Sequence, residues 1–554
     1  MLIASVLMGC SGGGGGGGSS ASSASTSSST TNICTTNENG TSNKLGVRRL
    51  LRFTVSDSQT VTISASKTSG LDSADPDLRL YKAGTLIGLS QGVTANSETL
   101  TVAVTSGEHV IDLLEYKYVS SGASSAVTCY DVTLTYASSS AKTAQFDVSD
   151  ETEATLSSKA SSSTSSCSST GEITITGTVT YDLVAHNTST NGLNYSTGTT
   201  QEPVKGAVVE MICGGAMYDT TVTDASGNYS LKASASVDNF VRVYAQMLDT
   251  TAPGTWNFQV IDNTSSGALY SMDGSTINSA VDIASHNLNA DSGWGGSSYT
   301  ATRTAAPFAI LDSIYTSFQK VLAVNSSAAF PALNINWSIN NVATAGDKTA
   351  GQITTSHYDG AAIYILGKAD SDIDEYDRHV IIHEWAHYFE NKFSRSDSIG
   401  GSHSINNTLD IRLAFGEGFG NAFSGIASGD PVYRDASGTS QSTGFSFDVS
   451  APSSCTQPGW YSECSVQSLL YDFNSLINFS ALYNVMIGSQ KTTTSVTSIF
   501  SFVKYLKDNN ASYVNSINTL LTAQNIDSIT DVYGDSELTN NPGVNNQLPV
   551  HSSL

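Results

Sequence analysis

Short runs of alternating apolar and polar residues dominate the first half of the chain. Between residues 45 and 137 such runs recur at 51–55, 60–64 and 99–104, with Gly, Ser and Asp between them. A period of two puts the apolar side chains on one face of a strand, and short strands at regular spacing are typical of a β-sandwich. We therefore predict a sandwich over residues 45–137, followed by a Ser/Thr-rich linker at 138–170.

A second set of alternating runs follows this linker. Residues 173–181 and 203–210 read as strands, and two further strands meet at a turn that contains Gly227. Glycine supplies the positive φ that such a turn requires. The pattern predicts a second β-sandwich over residues 171–292, whose last part, from residue 256, bridges to the rest of the chain.

The final part of the chain changes to helical spacing. Apolar residues recur with a helical period in the segments 307–322, 374–393, 413–423, 466–473, 497–506 and 514–521, whereas 333–337 and 361–366 read as strands. We therefore expect a multidomain protein in which two N-terminal β-sandwich modules precede an α+β domain over residues 293–554.

Net charge argues against a nucleic-acid partner, and hydropathy argues against a membrane-spanning helix. The 554-residue chain carries 25 Lys and Arg against 49 Asp and Glu, a formal net charge of -24 at pH 7. This charge disfavours a nucleic acid as partner, because the phosphates would be repelled. No run of about 18 apolar residues occurs, so the sequence predicts no membrane-spanning helix.

The strongest chemical signal lies in the predicted helix 374–393, where His383, Glu384 and His387 form the pattern His-Glu-x-x-His. Residues four apart share one helix face, so both imidazoles can bind one metal ion with Glu384 beside its open side. His379 lies one turn earlier, and three histidines spread over about 12 Å of helix cannot converge on one ion. We expect His379 to be a packed residue or to contact one of the residues that bind the metal.

A catalytic zinc ion takes three protein ligands, so a further ligand must come from elsewhere in the chain. The metzincin pattern is excluded, because Glu390 and Phe393 occupy the positions of its Gly and third His. The remaining candidates are His403, Asp410 and Glu417. Of these, Glu417 lies in an apolar, glycine-rich predicted helix, where a lone carboxylate requires a cation.

The Gly-Glu-Gly segment centred on Glu417 resembles the second zinc helix of the gluzincins, most closely that of the fungalysin-like and thermolysin-like metallopeptidases. The resemblance implies a zincin-like fold for residues 293–554 and one zinc ion per chain. It implies three zinc ligands, His383, His387 and Glu417. Glu384 would then activate a zinc-bound water that hydrolyses the peptide bonds of a protein or peptide substrate.

Two further residues are predicted to act around this centre, one beside a metal ligand and one at the oxyanion. Those families place an Asp four residues after the third ligand to orient a zinc-bound histidine, and this chain has Asn421 there. Asn can still accept the N–H bond but lacks the charge, which affects zinc affinity and not ligand identity. We predict Tyr461 as the donor to the oxyanion, with Tyr433, His403 and Arg412 as alternatives.

The two predicted sandwiches also resemble known modules. Segments 75–81 and 106–111 resemble the prepeptidase carboxy-terminal type of β-sandwich found beside secreted peptidases. The strands around Gly227 resemble the carboxypeptidase regulatory-like, transthyretin-type sandwich. The second resemblance implies a module that positions or stabilises an enzyme and carries no catalysis of its own.

Residues 7–10 resemble a bacterial lipobox, in which Cys10 is acylated and becomes the first residue of the mature protein. The resemblance implies a signal segment at 1–10 and an outer-membrane lipoprotein of the cell envelope, attached to the membrane through its lipid only. An ordinary secretion remnant is the alternative. Glycine, Ser and Thr then dominate residues 11–44, which we predict to be a flexible tether.

Six further cysteines follow Cys10, and an even number outside the cytosol indicates disulfides. Proximity and domain membership predict three pairs, Cys34 with Cys129, Cys167 with Cys213, and Cys455 with Cys464.

The sequence thus predicts an exported zinc metallopeptidase. Two alternatives remain open: a binding or adhesion lipoprotein without activity, and a zinc hydrolase that acts on a non-protein amide such as that of peptidoglycan.

Overall fold

β-Sheets make up most of the first half of the chain, and helices make up its C-terminal end. The computed structural model describes residues 26–36, 45–93, 95–120, 127–137, 167, 171–251, 253–540 and 550–551. These residues form a multidomain protein with two large apolar cores. The smaller core lies before residue 137, and the larger core lies mainly after residue 171 and includes Leu45, Leu50 and Val110.

The first region is a β-sandwich. Its elements are β1 (Thr26–Thr36), β2 (Arg48–Val55), β3 (Gln59–Ser69), β4 (Pro76–Lys82), β5 (Thr85–Ser90), β6 (Ser97–Val104), β7 (Gly107–Glu115), the short helix α1 (Tyr116–Ser120) and β8 (Val127–Ala137). One sheet has the strand order β1-β8-β3-β6 and the other contains β2-β7-β4-β5. Alternate residues such as Val61 and Ile63 in β3 and Leu78 and Leu80 in β4 are fully buried between the sheets.

Strand β1 lies inside the segment that we predicted to be a tether, residues 11–44, and this prediction is corrected for residues 26–36. The strand pairs with β8 along its whole length, and its Cys34 is opposite Cys129. The two cysteines form a disulfide, and Ile33 is buried in the sandwich core. A Ser/Thr-rich segment has no core of its own, but here the neighbouring strand and the disulfide supply the missing stabilisation.

The second region contributes two sheets. Its strands are β9 (Glu172–Val184), β10 (Thr199–Pro203), β11 (Ala207–Cys213), β12 (Ala216–Val222), β13 (Asn228–Ser234), β14 (Asn239–Asp249), β15 (Trp256–Asp262), β16 (Ala268–Leu269), β17 (Ser271–Asp273) and β18 (Leu288–Ala290). One sheet has the order β10-β9-β13, and the other begins β12-β11-β14-β15. The predicted turn is present, with Gly227 at φ +78° between β12 and β13.

The remaining elements are mainly helical. They are α2 (Ala305–Leu322), β19 (Leu333–Trp337), β20 (His357–Tyr358), β21 (Ile363–Ile365), β22 (Gly367–Lys368), β23 (Asp372–Ile373), α3 (Arg378–Phe393), α4 (Ile411–Ser428), β24 (Val432–Ser437), β25 (Thr443–Asp448), α5 (Glu463–Leu476), α6 (Phe479–Val485), α7 (Ile499–Asn509), α8 (Val514–Ala523), α9 (Asp535–Asn540) and β26 (Val550–His551). Strands β22, β23, β24 and β25 form a small separate sheet.

The larger sheet of the second region continues across residue 292, where we placed a domain boundary. Strand β15 pairs in parallel with β19, which pairs in parallel with β21, and β20 forms the antiparallel edge. Helix α2 lies in the chain between β15 and β19, as expected for a parallel crossover. One apolar core contains residues from Ile173 to Ile529, together with Leu45, Leu50 and Val110 of the first region. The segment from residue 256 is therefore part of a shared sheet.

Helix α3 begins four residues later than the predicted start at residue 374. Asp377 occupies the residue before its first turn, and its two carboxylate oxygens bind His186 Nε2 at 2.7 Å and the Ala436 backbone N–H at 2.8 Å. The same side chain therefore connects the second sandwich, the start of α3 and strand β24. Because these partners fix Asp377, the preceding acidic residues form β23 and a turn instead of a first helical turn.

Aromatic side chains pack α3 against α4. Trp385 and Phe389 on α3 stack on Phe423 of α4, with ring centroids 5.6 Å and 6.4 Å from it. All three side chains are buried, and each such burial stabilises the fold by about 1.5–3 kcal/mol. This contact fixes the relative position of the two helices that carry the predicted metal ligands.

The first sandwich docks on the helical end of the chain. Arg52 of β2 donates two hydrogen bonds of 2.7 Å to the Asp535 carboxylate, and its guanidinium lies 3.8 Å from the centre of the Tyr533 ring. On the same side Arg412 of α4 lies 3.3 Å from Asp112 of β7. The sandwich thus contacts α4 directly.

Candidate metal centre

Helices α3 and α4 bring three predicted ligands together. His383 Nε2 lies 3.1 Å from Glu417 Oε2, His387 Nε2 lies 3.4 Å from the same oxygen, and the two Nε2 atoms are 3.0 Å apart. We call His383, His387 and Glu417 the ligand triad. The triad is a group that can bind a metal ion.

The spacing of the triad fits a small tetrahedral ion. Donor atoms that each lie 2.0–2.2 Å from one tetrahedral zinc ion are separated by about 3.3–3.6 Å. The observed separations of 3.0–3.4 Å lie close to this range. Two imidazoles and one carboxylate are also a donor set that zinc accepts in proteins.

Asn421 orients His383. The Nδ1–H of His383 donates to Asn421 Oδ1 at 2.8 Å, as we infer from the hydrogen-bond network. The other ring nitrogen of His383, Nε2, lies 3.1 Å from Glu417 Oε2, so the contact with Asn421 leaves Nε2 turned toward the carboxylate and in position to bind a metal ion beside it.

Two glycines of α4 permit the close approach of neighbouring groups. A Cβ atom on Gly420 would lie 2.7 Å from the His383 ring, and a Cβ on Gly418 would lie 2.6 Å from Val466 of α5. Both distances are far below normal contact. The small residues that marked α4 in the sequence are therefore required by the packing around the triad.

Glu384 points to the edge strand β20. Its Oε2 accepts a 2.8 Å hydrogen bond from the Tyr358 backbone N–H. The Tyr358 side chain in turn donates to the Gly360 carbonyl at 2.6 Å. These contacts hold the carboxylate of Glu384 between the triad and the sheet edge.

His403 lies beside the triad. Its Nε2 is 3.2 Å from Glu417 Oε2, and its Nδ1 is 2.7 Å from Glu463 Oε2 at the start of α5. Burial disfavours the charged imidazole, but the hydrogen bonds with Glu417 and Glu463 outweigh burial and raise the pKa of His403 to about 11. His403 is thus a cationic donor next to the triad.

Residues in and around the triad shift one another's pKa values toward the charged forms. Burial alone would raise the pKa of Glu417, but His387, His383 and His403 hold that pKa well below its usual range. Burial likewise disfavours a charge on His387, yet Glu417 and Glu384 raise its pKa to about 9. Glu417 is therefore present as the carboxylate that a metal ion requires.

Three other candidates have separate partners. His379 Nε2 donates to the Asp430 carbonyl at 3.0 Å and does not join the triad, as we expected. Asp410 precedes the first turn of α4 and accepts from the Arg412 backbone and guanidinium at 2.9–3.0 Å. Arg412 is thus committed to Asp410 and Asp112, which makes it a structural residue and not an oxyanion donor.

The two tyrosine candidates differ in position. Tyr461 Oη donates to the Pro458 carbonyl at 3.5 Å, and its ring packs edge-on against Trp460. The predicted role of Tyr461 stays a prediction. Tyr433 in β24 packs edge-on against the His383 ring, with centroids 6.4 Å apart.

The sequence did not single out three of these contacts. They are the Glu463 carboxylate on His403, the Tyr358 backbone N–H on Glu384, and Asp377 with its partner His186. Glu463 carried a weak signal, because an acidic residue in a first helical turn interacts with the helix dipole. The contacts of Tyr358 with Glu384 and of Asp377 with His186 carried no signal in the sequence.

The three predicted disulfides are confirmed among the described cysteines. They are compatible with an exported protein. In the ranges that the structure describes, we find no helix with the length and hydropathy needed to cross a membrane. Cys10, the predicted lipidation site, and most of the linker 138–170 lie outside the described residues.

Comparison with known proteins does not assign a family. No family model and no curated protein matches the chain. A pre-peptidase C-terminal domain of collagenase from Bacillus anthracis matches with 11% identity over 19% of this chain and 87% of its own, at a TM-score of 0.15. The major pilin subunit of Bacillus cereus matches with 9% identity over 48% of this chain and 70% of its own, at a TM-score of 0.10. A β-galacturonidase from Eisenbergiella tayi matches with 5% identity over 52% of this chain and 49% of its own, at a TM-score of 0.11. Scores this low carry no argument about function.

Proposed function

We propose that this protein is a zinc-dependent peptidase with a zincin-like catalytic domain. One observation carries the proposal. The nitrogen atoms of His383 and His387 and the carboxylate of Glu417 converge to within 3.4 Å, while Glu384 extends from the same helix toward the sheet edge.

The residues of the site fit general-base hydrolysis of an amide. Zinc bound to the triad would supply Lewis acidity and lower the pKa of a coordinated water. Glu384 accepts a proton from the attacking water and passes it to the leaving amine, while the Tyr358 N–H holds the carboxylate in place.

His403 is the oxyanion donor that we propose. Its Nε2 lies 3.2 Å from Glu417 and Glu463 holds its other nitrogen, whereas Tyr461 donates to the backbone of its own loop. A metal ion bound by Glu417 would compete for the oxygen that His403 contacts, and the Nε2–H of His403 would then be available to stabilise negative charge on a carbonyl oxygen. Tyr433 remains the alternative because its ring contacts His383.

The predicted export agrees with the disulfides. Attachment through Cys10 and placement in the bacterial outer membrane remain part of this proposal. A peptide or protein is the proposed substrate, and the first β-sandwich would serve to support the catalytic domain through its contact with α4.

The test compares the purified wild-type chain with Glu384→Gln and Glu390→Gln on a mixed peptide library, with zinc content measured for each protein. Glu390 is the matched control, because it is a buried glutamate of the same helix and is not placed in the reaction. We expect one zinc per chain in all three proteins. Cleavage should fall by roughly 100-fold or more in Glu384→Gln only.

The other outcomes discriminate between the alternatives. Peptide cleavage that persists in Glu384→Gln would refute the assigned base. A wild-type protein that binds zinc and releases peptides only from peptidoglycan would be the non-protein hydrolase. A protein that binds zinc and cleaves neither substrate would be the binding lipoprotein.

A further inference from the structure

A second group of acidic side chains lies at the base of α3, away from the ligand triad. Carboxylate oxygens of Asp372, Asp374 and Asp435 lie within 4.8 Å of one another. Asp372 belongs to β23, Asp374 to the turn before α3, and Asp435 to β24. We call these three residues the aspartate cluster.

Among the residues that the structure describes, two buried oxygens of the cluster have no hydrogen-bond partner. Asp374 is only 3% exposed, and its Oδ2 accepts from the Ser356 hydroxyl while its Oδ1 has no partner. Asp372 Oδ1 is also buried without a partner. A buried carboxylate oxygen is strongly unfavourable unless it is hydrogen-bonded or binds a cation.

Basic side chains do not balance these charges. Lys368 is opposite Asp372 in the hairpin, yet it is exposed and forms no ion pair with the described cluster. Arg434, the residue before Asp435, pairs with Asp430. The three carboxyl groups therefore share one partly buried space, and burial together with the nearby carboxylates of Asp377 and Asp372 raises the pKa of Asp435 to about 8.

We propose that Asp372, Asp374 and Asp435 bind a calcium ion. The donors are oxygens only, and calcium and other hard cations prefer such ligands, whereas protein zinc sites typically include nitrogen or sulfur donors. Calcium tolerates irregular geometry and takes six to eight oxygens, so waters and backbone carbonyls complete its shell. Magnesium requires a near-ideal octahedron, which three carboxylates on a turn and two short strands do not provide.

The bound ion would stabilise the entrance to α3. Asp372 and Asp374 precede the helix that carries His383, and Asp435 lies two residues after Tyr433, whose ring contacts His383. A divalent cation would hold these segments together and neutralise their repulsion. The calcium site does not depend on the peptidase proposal, because it shares no ligand with the triad.

Calorimetric titration and thermal unfolding of the full chain test this site. Metal is first removed with a chelator, zinc is restored to a measured content, and calcium is then added. We expect about one calcium ion per chain and a higher unfolding midpoint with calcium. Calcium affinity should fall by about tenfold or more in Asp374→Asn and in Asp435→Asn.

Comparing the stability of wild type and a variant with and without calcium distinguishes a calcium site from a purely structural role of these residues. At about pH 9, above the raised pKa of Asp435, Asp435→Asn should unfold without calcium at a higher temperature than wild type, because it removes one repelling charge. With calcium, wild type should gain stability and Asp435→Asn should not. Asp508→Asn, on α7, is the matched control, because Asp508 pairs only with Lys504 in its own helix.

The proposal fails if millimolar calcium produces neither heat nor a change in the unfolding midpoint of wild type. It fails equally if Asp435→Asn binds calcium as wild type does, or if magnesium or zinc binds the cluster in preference to calcium. Zinc content in every variant shows whether the ligand triad remains intact, so loss of the peptidase centre is distinguished from loss of the calcium site.

Discussion

The ligand triad lies between helices α3 and α4, and the aspartate cluster lies at the start of α3 and on β24. The polar atoms of the two groups are satisfied in different ways. In the triad, His383 donates a hydrogen bond to Asn421 and Glu417 accepts one from His403, so two of the three ligands are oriented by a neighbour outside the triad. In the aspartate cluster, buried oxygens of Asp372 and Asp374 have no such partner. The triad is therefore arranged before any metal binds, whereas the cluster depends on a cation for its own stability.

The two groups are also expected to bind different cations, because their donor atoms and supporting elements differ. Nitrogen and oxygen donors held by two rigid helices favour a small ion in a fixed geometry. Oxygen donors on short strands and a turn favour a larger ion that tolerates variation. The following predictions test whether the two centres are independent and whether preorganisation determines affinity in the first.

The largest effect is expected for Glu417→Gln. The substitution keeps the shape of the side chain but removes the only carboxylate of the triad, so zinc binding should fall by more than the roughly 10–100-fold typical of losing an outer partner. Zinc stoichiometry after dialysis measures this. The calcium response of the aspartate cluster should remain, and a simultaneous loss of both would show that the centres are coupled.

A smaller loss is expected for Gly420→Ala. The added methyl group would lie 2.7 Å from the His383 ring, so the imidazole must move and zinc affinity should fall by roughly 100-fold. Gly416→Ala is the matched control, because its methyl group meets its nearest neighbour at 3.5 Å. That control should bind zinc normally and gain up to about 1 kcal/mol in stability. Equal zinc affinities in the two variants would contradict a need for close packing at His383.

The smallest effect is expected for Asn421→Ala. Loss of the acceptor on His383 Nδ1 should lower zinc affinity by roughly tenfold, the lower end of the usual range, because an amide is a weaker acceptor than a carboxylate. Asn421→Asp should raise the affinity above wild type. Competition with a chromogenic chelator measures both variants, and an Asp variant that binds zinc more weakly would contradict the orienting role.

The fold was predictable where local pattern decides it. Alternation located the strands of both N-terminal regions, and helical spacing located α2, α3 and α4 to within a few residues. Strand β1 was missed because its Ser/Thr-rich sequence carries no apolar alternation, and only its pairing with β8 and the Cys34–Cys129 disulfide make it a strand. The sheet that continues from β15 to β19 was missed because strand pairing over many residues leaves no local signal.

The two groups of candidate ligands also differ in how far the sequence predicts them. His383 and His387 form a motif within five residues, and a lone Glu417 in an apolar helix requires a partner, so the triad could be read from the chain. The aspartate cluster joins Asp372 and Asp374 to Asp435, which follows α4, and acidic residues in such turns are common. No spacing rule distinguishes that group from a solvated surface.

The sequence by itself indicated many of the strands and helices and the pair His383 and His387, because periodicity and short motifs act over a few residues. Only the tertiary structure decided that His403 is held by Glu463, that Tyr358 orients Glu384, and that three aspartates share one buried space. These contacts join residues far apart in the chain, and they form only when the packing of α3, α4 and the sheets brings them within hydrogen-bond distance.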